Sequence, residues 1–395
     1  MSDNKTYDVV IIGGAVMGSS TAYFLAANPD FNGSVLVIEK DTSYAKSATA
    51  LSSSSIRHQF SNEINIQISQ FGSQFIKSFG DYCTVDGDVP ELGFHENGYL
   101  YLVGENDKAT LTENYQKQVA LGSDMALLTP DDIKARFPWI STQGVAVGCL
   151  GLSGEGWFDS FGLMQGFKKK ARSLGIEYIN DEVVGLTRTG DRIESVQLKS
   201  GETINCGCVL NAAGPRANQI CQMADLSIPV VPRKRCIFVF NCREKVADKM
   251  PAIIDPTGIF CRPEGQLFLC TLEPNPDPTV DYDDFEVIHS EFEERIWLPL
   301  AERVPAFEAI KVVNSWAGQY DYNTLDHNAI LGPHTQVKNF LFANGFSGHG
   351  LQQAPAVGRG LAEFITYGQY RSLDLSPLGY ERIETQTPFL ENLVI

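Results

Sequence analysis

The sequence has no long hydrophobic run, and its basic residues are too few to balance its acidic ones. No stretch approaches the roughly 18 consecutive apolar residues of a membrane span. The 31 lysines and arginines stand against 48 aspartates and glutamates, a net charge of −17, which disfavours attraction to nucleic acid or an anionic membrane. The residues before Tyr7 are few and polar, so we expect no signal or transit peptide. We therefore expect a cytoplasmic protein.

Cysteine pairs with the spacing of redox or metal motifs are also missing. The closest of the nine cysteines, Cys206 and Cys208, have one residue between them rather than two. Others, such as Cys236 and Cys261, lie in apolar runs, where a cysteine is usually a small buried hydrophobe. The sequence predicts reduced thiols and no metal site.

The overall composition is that of a globular protein. Hydrophobic residues make up 43% and charged residues 20% of the 395 positions, which argues against disorder or a fibrous architecture. The length favours two domains or one large elaborated domain. Either arrangement can bury a large cofactor.

The first forty residues have the pattern of a β-α-β unit. Residues 7–12 form a β-branched run typical of a strand buried on both faces. A glycine-rich turn follows at residues 13–18, and residues 17–27 suit a helix that Asn28-Pro29 ends. Residues 34–38 then supply a second buried strand that leads into Glu39.

This unit predicts a dinucleotide site. In such turns the first glycine makes the tight turn, the second admits the pyrophosphate and the third packs helix on strand, while the helix amides face the phosphates. Gly13 and Gly18 are present, but Ala15 stands where the middle glycine is usual. The Glu39 carboxylate can accept ribose hydroxyls and disfavours a 2′-phosphate. This part of the chain alone leaves FAD and NAD open.

Two later segments favour FAD. Residues 209–215 and 339–345 both read as a strand that runs into a turn of small residues, and glycines there allow the backbone to approach a ligand closely. After the glycine loop at 346–350, residues 351–365 suit a helix. Its N-terminus would point at that loop, where its partial positive charge can stabilise a reduced flavin.

These segments together resemble the D-amino-acid oxidase and sarcosine oxidase superfamily of flavoproteins, over nearly the whole chain. Residues 232–235, 320–326 and 345–355 are closest to one branch of it. That branch contains the sarcosine oxidase β-subunit, dimethylglycine dehydrogenase, iminodiacetate oxidase and the FAD-dependent protein that assists respiratory complex I assembly.

The resemblance implies an α/β and α+β fold with two interleaved domains. A Rossmann-type, glutathione-reductase-like FAD-binding domain would use residues 1–80, 151–224 and 316–395. A substrate-binding domain built on a mostly antiparallel sheet would use residues 81–148 and 226–315. The alternating apolar run at 236–240 fits such a sheet.

The resemblance also implies a reaction. Members of the superfamily oxidise the C–N bond of a secondary or tertiary amino acid by hydride transfer to flavin, and water hydrolyses the imine. The implied partners are a small carboxylate-bearing amine and either dioxygen or an electron-carrier acceptor, with the oligomeric state open. Three alternatives stay open: a flavoprotein assembly factor with weak or no catalysis, a dehydrogenase that passes electrons to a protein or quinone acceptor, and an NAD-dependent dehydrogenase.

Three residues are candidates for the chemistry. A carboxylate substrate needs a fixed cation, and the planar fork of arginine suits it. Arg57, after the serines at 52–55, resembles the segment that holds the carboxylate in monomeric sarcosine oxidase. Because the segment around Arg262 faces the flavin in relatives, the resemblance implies that Arg262 holds a second carboxylate or pairs with a nearby acid. His349, inside the glycine loop, is placed to touch flavin or substrate.

The resemblance assigns cofactor contacts to the following residues: Gly13, Ala15, Val16, Met17, Gly18, Glu39, Lys40, Ser47, Ser52, Ser53, Ser54, Val183, Ala212, Ala213, Gly214, Gly318, Gly348, His349, Gly350, Leu351 and Gln352.

Three positions depart from monomeric sarcosine oxidase. Gln352 replaces its carboxylate-binding lysine, and residues 315–326 contain no cysteine for a covalent flavin link, so we expect noncovalent FAD. Its oxygen-activating lysine aligns by eye with Phe268, which leaves the electron acceptor undecided.

Overall fold

The computed structural model describes residues 5–393, and within them the chain forms two eight-stranded sheets and a two-stranded sheet. The strands are β1 Thr6–Ile12, β2 Val35–Glu39, β3 Ser55–Ile56, β4 Tyr99–Val103, β5 Met125–Leu128, β6 Val147–Gly151, β7 Gly156–Trp157, β8 Glu177–Asn180, β9 Val183–Thr189, β10 Arg192–Leu198, β11 Thr203–Asn211, β12 Val230–Cys242, β13 Ala252–Ile254, β14 Phe260–Glu264, β15 Leu267–Thr271, β16 Ile310–Asn323, β17 Ile330–Pro333 and β18 Phe340–Asn344. The helices are α1 Val16–Ala27, α2 Glu63–Lys77, α3 Phe79–Cys83, α4 Lys108–Ala120, α5 Pro130–Arg136, α6 Ser160–Ser173, α7 Ala217–Gln222, α8 Trp297–Arg303, α9 Gly350–Tyr367 and α10 Glu381–Glu384.

The first sheet has a parallel centre. Strands β18, β11, β1, β2 and β8 lie side by side in that order and run parallel, while β17 and the β9–β10 hairpin add antiparallel edges. Helices α1, α2, α6 and α9 pack on one face in a single apolar cluster. The predicted β-α-β unit is present as β1, α1 and β2, and each strand is buried through most of its length.

Helix α1 begins one residue earlier than predicted and packs closely on α9. Gly358 of α9 makes this approach possible, because a Cβ there would lie 2.2 Å from Ser20 Oγ. The same hydroxyl donates a 2.7 Å hydrogen bond to the Ala354 carbonyl. Because α1 and α9 begin at the two glycine loops, their contact sets the distance between those loops.

The second sheet is largely antiparallel, with strand order β16-β12-β15-β14-β13-β4-β6-β5 and one parallel pair, β13 with β4. β12 and β16 are its longest strands and pair from Val230 with Asn323 to Cys242 with Ile310. β16 thus runs through the domain boundary expected at residue 316 and carries residues 316–323 into the second sheet. The outermost residues of the expected domains, 1–4 and 394–395, lie outside the described residues.

The two sheet types confirm the predicted mixed fold class, an α/β layer joined to a mostly antiparallel sheet. No helix within residues 5–393 has the length and apolar character needed to cross a bilayer. All nine cysteines are unpaired thiols.

Candidate active site

A cavity of about 830 Å³ is bordered by both large sheets. In the first sheet, the ends of β1 and β2 and the turn after β11 line the cavity. In the second sheet, residues of β12, β14 and β16 line it. Open α/β sheets bind ligands beyond the carboxyl ends of their strands, so this cavity is where the fold places a ligand.

The glycine turn at one end of the cavity is built as the sequence predicts. Gly13 has φ +102°, and a Cβ there would lie 2.3 Å from the Ala212 carbonyl oxygen. A Cβ at Gly18 would lie 1.9 Å from the Gly13 oxygen, so this position joins α1 tightly to the turn. Ala15 is tolerated because it is the extended N-cap residue of α1 and borders the cavity. The amides at this helix start face the space that a pyrophosphate needs.

Glu39 lies beside this turn at the end of β2. Its carboxylate accepts hydrogen bonds from the backbone N–H groups of Gly14 at 2.8 Å and Asp41 at 2.9 Å. Two carboxylate oxygens can accept about four hydrogen bonds, so capacity for ribose hydroxyls is left. The buried hydroxyl of Tyr44, also in the cavity wall, has no hydrogen-bond partner within the described chain. A ribose here would satisfy both groups.

Most of the expected cofactor residues border the cavity. They are Gly13, Ala15, Val16, Met17, Glu39, Lys40, Ser47, Ser52, Ser53, Val183, Ala212, Ala213, Gly214, Gly318, Gly348, His349, Gly350, Leu351 and Gln352. Gly18 and Ser54 do not. Gly18 packs α1 on the turn, and the Ser54 hydroxyl donates to Ser160 Oγ at 2.8 Å. No cysteine is among the described residues of the cavity wall.

Arg57 and His349, 292 positions apart, meet at the end of the cavity where α9 begins. Arg57 Nη2 donates to His349 Nε2 at 3.2 Å, and both residues are buried and border the cavity. A guanidinium can only donate hydrogen bonds. In this contact the Nε2 atom of His349 is therefore unprotonated and accepts the hydrogen bond through its lone pair. The Gln352 side chain accepts from the Arg57 backbone N–H at 2.8 Å. The first turn of α9 therefore positions Arg57.

Arg262 is buried but does not border the cavity. Its guanidinium donates to the Ser53 carbonyl oxygen from Nε at 2.9 Å and from Nη2 at 2.8 Å, and it pairs with Glu264. Of the two roles expected for Arg262, pairing with a nearby acid is the one that the structure shows, while a role in holding a substrate carboxylate is not supported. Arg262 instead supports the serine loop that forms part of the cavity wall.

Phe268, aligned with an oxygen-activating lysine, also lies away from the cavity. Its ring packs against Phe240 and Phe307 in the core of the second sheet. The alignment of Phe268 with that lysine therefore gives no information on which electron acceptor the protein uses.

Tyr99 and Asp321 border the cavity, although sequence reasoning gave neither a role. Tyr99 on β4 is 1% exposed, and burial raises the pKa of its hydroxyl, while the positive charge of Arg57 opposes that rise. Burial raises the pKa of the Asp321 carboxyl group to about 6. Hydrogen bonds from the backbone N–H groups of Gly345 and Phe346 lower the pKa and so offset part of this rise. Asp321 thereby fastens the glycine loop to β16. The 320–326 motif drew attention to this position without revealing that contact.

Glu155 is a fully buried acid behind Arg57 that the sequence gave no reason to single out. It accepts hydrogen bonds from the His58 backbone N–H at 2.7 Å and from Gln59 Nε2 at 2.9 Å. Burial raises the pKa of Glu155 from 4.5 to about 7, and the hydrogen bonds and the Arg57 charge only partly offset this. The carboxyl group therefore changes its charge near neutral pH.

Glu155→Gln is expected to change how stability depends on pH. The folded protein holds a proton at Glu155 that the unfolded chain releases, so the wild type loses stability relative to the variant as the pH rises from 4.5 to about 7. The loss should be on the order of 3 kcal/mol. Urea unfolding at acid and neutral pH measures this, with exposed Glu194→Gln as control. Parallel pH profiles for wild type and Glu155→Gln would refute the assignment.

The fold and the cavity together define the class of protein. The glycine turn with Glu39 and Tyr44 fits the pyrophosphate and ribose of a dinucleotide. The far end of the cavity meets the second sheet and the α9 loop, where an additional ring system would have polar and charged neighbours. This is the arrangement of an FAD-dependent oxidoreductase with a separate substrate side.

The chain belongs to the DAO family of FAD dependent oxidoreductases, whose family model matches residues 8–364. FAD is therefore its cofactor, and the superfamily predicted from the motifs is confirmed.

Individual relatives agree with this assignment. The chain is 38% identical to FAD-dependent oxidoreductase domain-containing protein 1 of Xenopus laevis, over 98% of this chain and 85% of that protein. It is 24% identical to sarcosine oxidase subunit beta of Arthrobacter sp, over 96% of this chain and 92% of the relative. The structure of L-proline dehydrogenase from P. horikoshii superimposes with a TM-score of 0.84 and 25% identity, covering 97% of this chain and 99% of that one.

Proposed function

We propose that this protein oxidises the C–N bond of a secondary or tertiary amino acid, such as an N-substituted glycine. The observation that carries the proposal is the buried Arg57, which contacts His349 where the cavity meets the start of α9. A buried guanidinium in the wall of a ligand cavity suits a planar anionic group such as a carboxylate.

The surroundings of Arg57 fix its orientation. Phe60 lies beneath the guanidinium, 5.1 Å from ring centroid to Cζ. The Gln352 side chain holds the backbone of Arg57, and Phe60 also packs edge-on against His349 at 5.2 Å between ring centroids. A carboxylate bound here would be held at a defined position relative to the α9 loop, as oxidation at one particular carbon requires.

The chain's residues have three tasks in this reaction. Bound FAD supplies the acceptor for the hydride that leaves the carbon next to nitrogen, after which water hydrolyses the imine. Arg57 orients the substrate carboxylate. The N-terminal amides of α9 stabilise the negative charge that reduction leaves at their end of the cavity. The glycine turn and Glu39 hold the distant end of the cofactor.

The names of two relatives support an amine with a carboxylate as substrate. Sarcosine oxidase subunit beta and L-proline dehydrogenase are named for one N-substituted and one cyclic secondary amino acid. We further propose that residues 1–80, 151–224 and 316–395 bind FAD, with 316–323 joined to the second sheet, and that 81–148 and 226–315 form the substrate side. The proposal includes a cytoplasmic location and noncovalent FAD, which acid precipitation should release into the supernatant.

The test is an anaerobic reduction assay. The purified protein should be yellow, and its flavin should lose its visible absorbance when sarcosine, dimethylglycine, iminodiacetate or proline is added without oxygen. Admitting air to the bleached sample then distinguishes an oxidase, which recovers its colour quickly, from a dehydrogenase that needs an electron carrier. A yellow protein that none of these amines bleaches would contradict the proposal and favour the assembly-factor alternative.

A further inference from the structure

An irregular segment between β15 and α8, residues 281–285, borders the cavity. We call it the bridging segment, because its backbone is fixed to the second sheet while its side chains contact residues that follow strands of the first. Tyr282, Asp283 and Phe285 belong to the cavity wall. None of the sequence motifs includes these three residues, so only the fold draws attention to them.

The bridging segment is fastened to the two longest strands of the second sheet. Gln319 Nε2 on β16 donates to the carbonyl oxygens of Asp281 at 2.7 Å and Asp284 at 2.8 Å. Lys234 Nζ on β12 donates to both carboxylate oxygens of Asp284 at 2.7 Å. Lys234 is 9% exposed and Gln319 is 3% exposed, so these bonds are shielded from water. The backbone of the segment therefore has a defined position on the second sheet.

Two cations from the first-sheet side contact the bridging segment. Arg216, in the turn after β11, has Cζ 4.9 Å from the centroid of the Tyr282 ring and Nη2 3.1 Å from Asp283 Oδ1. Lys46, in the loop between β2 and β3, has Nζ 5.2 Å from the centroid of the Phe285 ring. Both cations border the cavity, and a cation at this distance is attracted to the face of an aromatic ring. The segment thus connects the two sides of the cavity wall.

These contacts lie at the nucleotide end of the cavity. Burial and the charge of Arg216 lower the pKa of Lys40, while the charges of Glu182, Asp283 and Glu39 oppose this change. Arg216 and Asp283 are therefore close to Lys40, which directly follows Glu39. Because Glu39 and the glycine turn fit the ribose and pyrophosphate of FAD, the bridging segment lies beside the same half of the cofactor.

The side chains of this region suit the chemistry of that half. Adenosine diphosphate joins a planar base and a ribose to two anionic phosphates. The rings of Tyr282 and Phe285 offer apolar surface to the base and ribose. Arg216 and Lys46 offer positive charge to the phosphates. The Asp283 carboxylate pairs with Arg216 and is 73% exposed, so water screens its negative charge.

We propose that the bridging segment is part of the cofactor site, where Tyr282 and Phe285 contact the adenosine diphosphate half of FAD from the second sheet and slow its release. Lys234 is a positioning residue, because it holds the segment without bordering the cavity. Contacts with a ligand mainly determine how fast the ligand dissociates. The inference concerns the cofactor alone and does not depend on which amine the protein oxidises.

The experiment measures release of FAD rather than catalysis. Protein loaded with isotope-labelled FAD is mixed with an excess of unlabelled FAD. After increasing times it is desalted, and the labelled FAD that remains bound is measured by mass spectrometry. The variants are Tyr282→Ala, Phe285→Ala and the conservative Tyr282→Phe. Phe161→Ala is the matched control, because this ring on α6 is 41% exposed and lies away from the cavity.

Labelled FAD should leave Tyr282→Ala and Phe285→Ala roughly tenfold faster than the wild type, because each variant loses a ring that contacts the cofactor and a neighbouring cation. Tyr282→Phe keeps the ring and should match the wild type, as should Phe161→Ala. Only molecules that carry labelled FAD are measured, so a lower yield of folded protein does not affect the rate. Release at the wild-type rate from both alanine variants would overturn the proposal.

Lys234→Met tests the placement of the segment while every residue of the cavity wall stays the same. The variant removes both hydrogen bonds from Nζ to Asp284, so FAD should dissociate roughly threefold to tenfold faster. Lys169→Met is its control, because Lys169 is an exposed lysine that pairs with Asp88 away from the cavity. Equal release rates in Lys234→Met and Lys169→Met would contradict the positioning role. If the alanine variants do not fold, this comparison decides the proposal.

Discussion

Replacing Arg57 with alanine is expected to weaken binding of a carboxylate-bearing amine by about 2 to 5 kcal/mol, the usual cost of removing one partner of a buried charged pair. The guanidinium is the cation that the cavity wall offers beside His349. The apparent dissociation constant, obtained from the substrate dependence of anaerobic flavin reduction, measures this change. It should rise by roughly thirtyfold to several thousandfold.

Two further variants make the Arg57 result specific. Arg57→Lys keeps the charge but loses the planar fork, so it should recover part of the affinity. Arg243→Ala removes an exposed arginine and should behave as the wild type. If Arg57→Ala binds the amine as tightly as Arg243→Ala does, the carboxylate lies elsewhere.

Gly18→Ala is expected to weaken FAD binding by roughly a hundredfold. The new Cβ would lie 1.9 Å from the Gly13 carbonyl oxygen and 3.1 Å from Ile11 Cγ2. A backbone oxygen cannot yield unless α1 moves away from the glycine turn. Overpacking typically costs up to about 3 kcal/mol, which corresponds to roughly a hundredfold in FAD affinity if it falls on the bound state. The ratio of flavin to protein absorbance after gel filtration measures the loss.

Gly104→Ala is the control for this substitution. Its Cβ would make only an ordinary 3.5 Å contact with the Gly144 carbonyl oxygen, away from the cavity. It should purify with full flavin content. A Gly18→Ala protein with equally full flavin content would show that the tight approach of α1 to the turn is not required.

Local sequence pattern predicted the nucleotide end of the cavity well. The strand, turn, helix and acid between Thr6 and Glu39 follow one another within a single β-α-β unit. Their chemistry depends on near neighbours in the chain, as with Gly13 and Gly18. The helix α1 begins one residue earlier, and the strand β2 one residue later, than the sequence predicted.

The substrate end was harder to predict because its contacts are long-range. Arg57 and His349 were named through resemblance, but only the fold brings them within 3.2 Å of each other. Arg262 was a further candidate, with pairing to an acid as the open alternative, and only the fold shows that its guanidinium is directed to the Ser53 carbonyl oxygen. Glu155 lies between two glycines and resembles a surface turn acid, and nothing local reveals its complete burial.

The central claim is that amine oxidation requires both the bound flavin and a carboxylate held by Arg57. The most direct test is anaerobic stopped-flow mixing of the FAD-loaded protein with the amino acid that bleaches it fastest and with the same amine lacking its carboxylate. We expect saturable bleaching by the amino acid, little bleaching by the decarboxylated amine, and no difference between the two amines in Arg57→Ala. Equal bleaching by both amines in the wild type would contradict it.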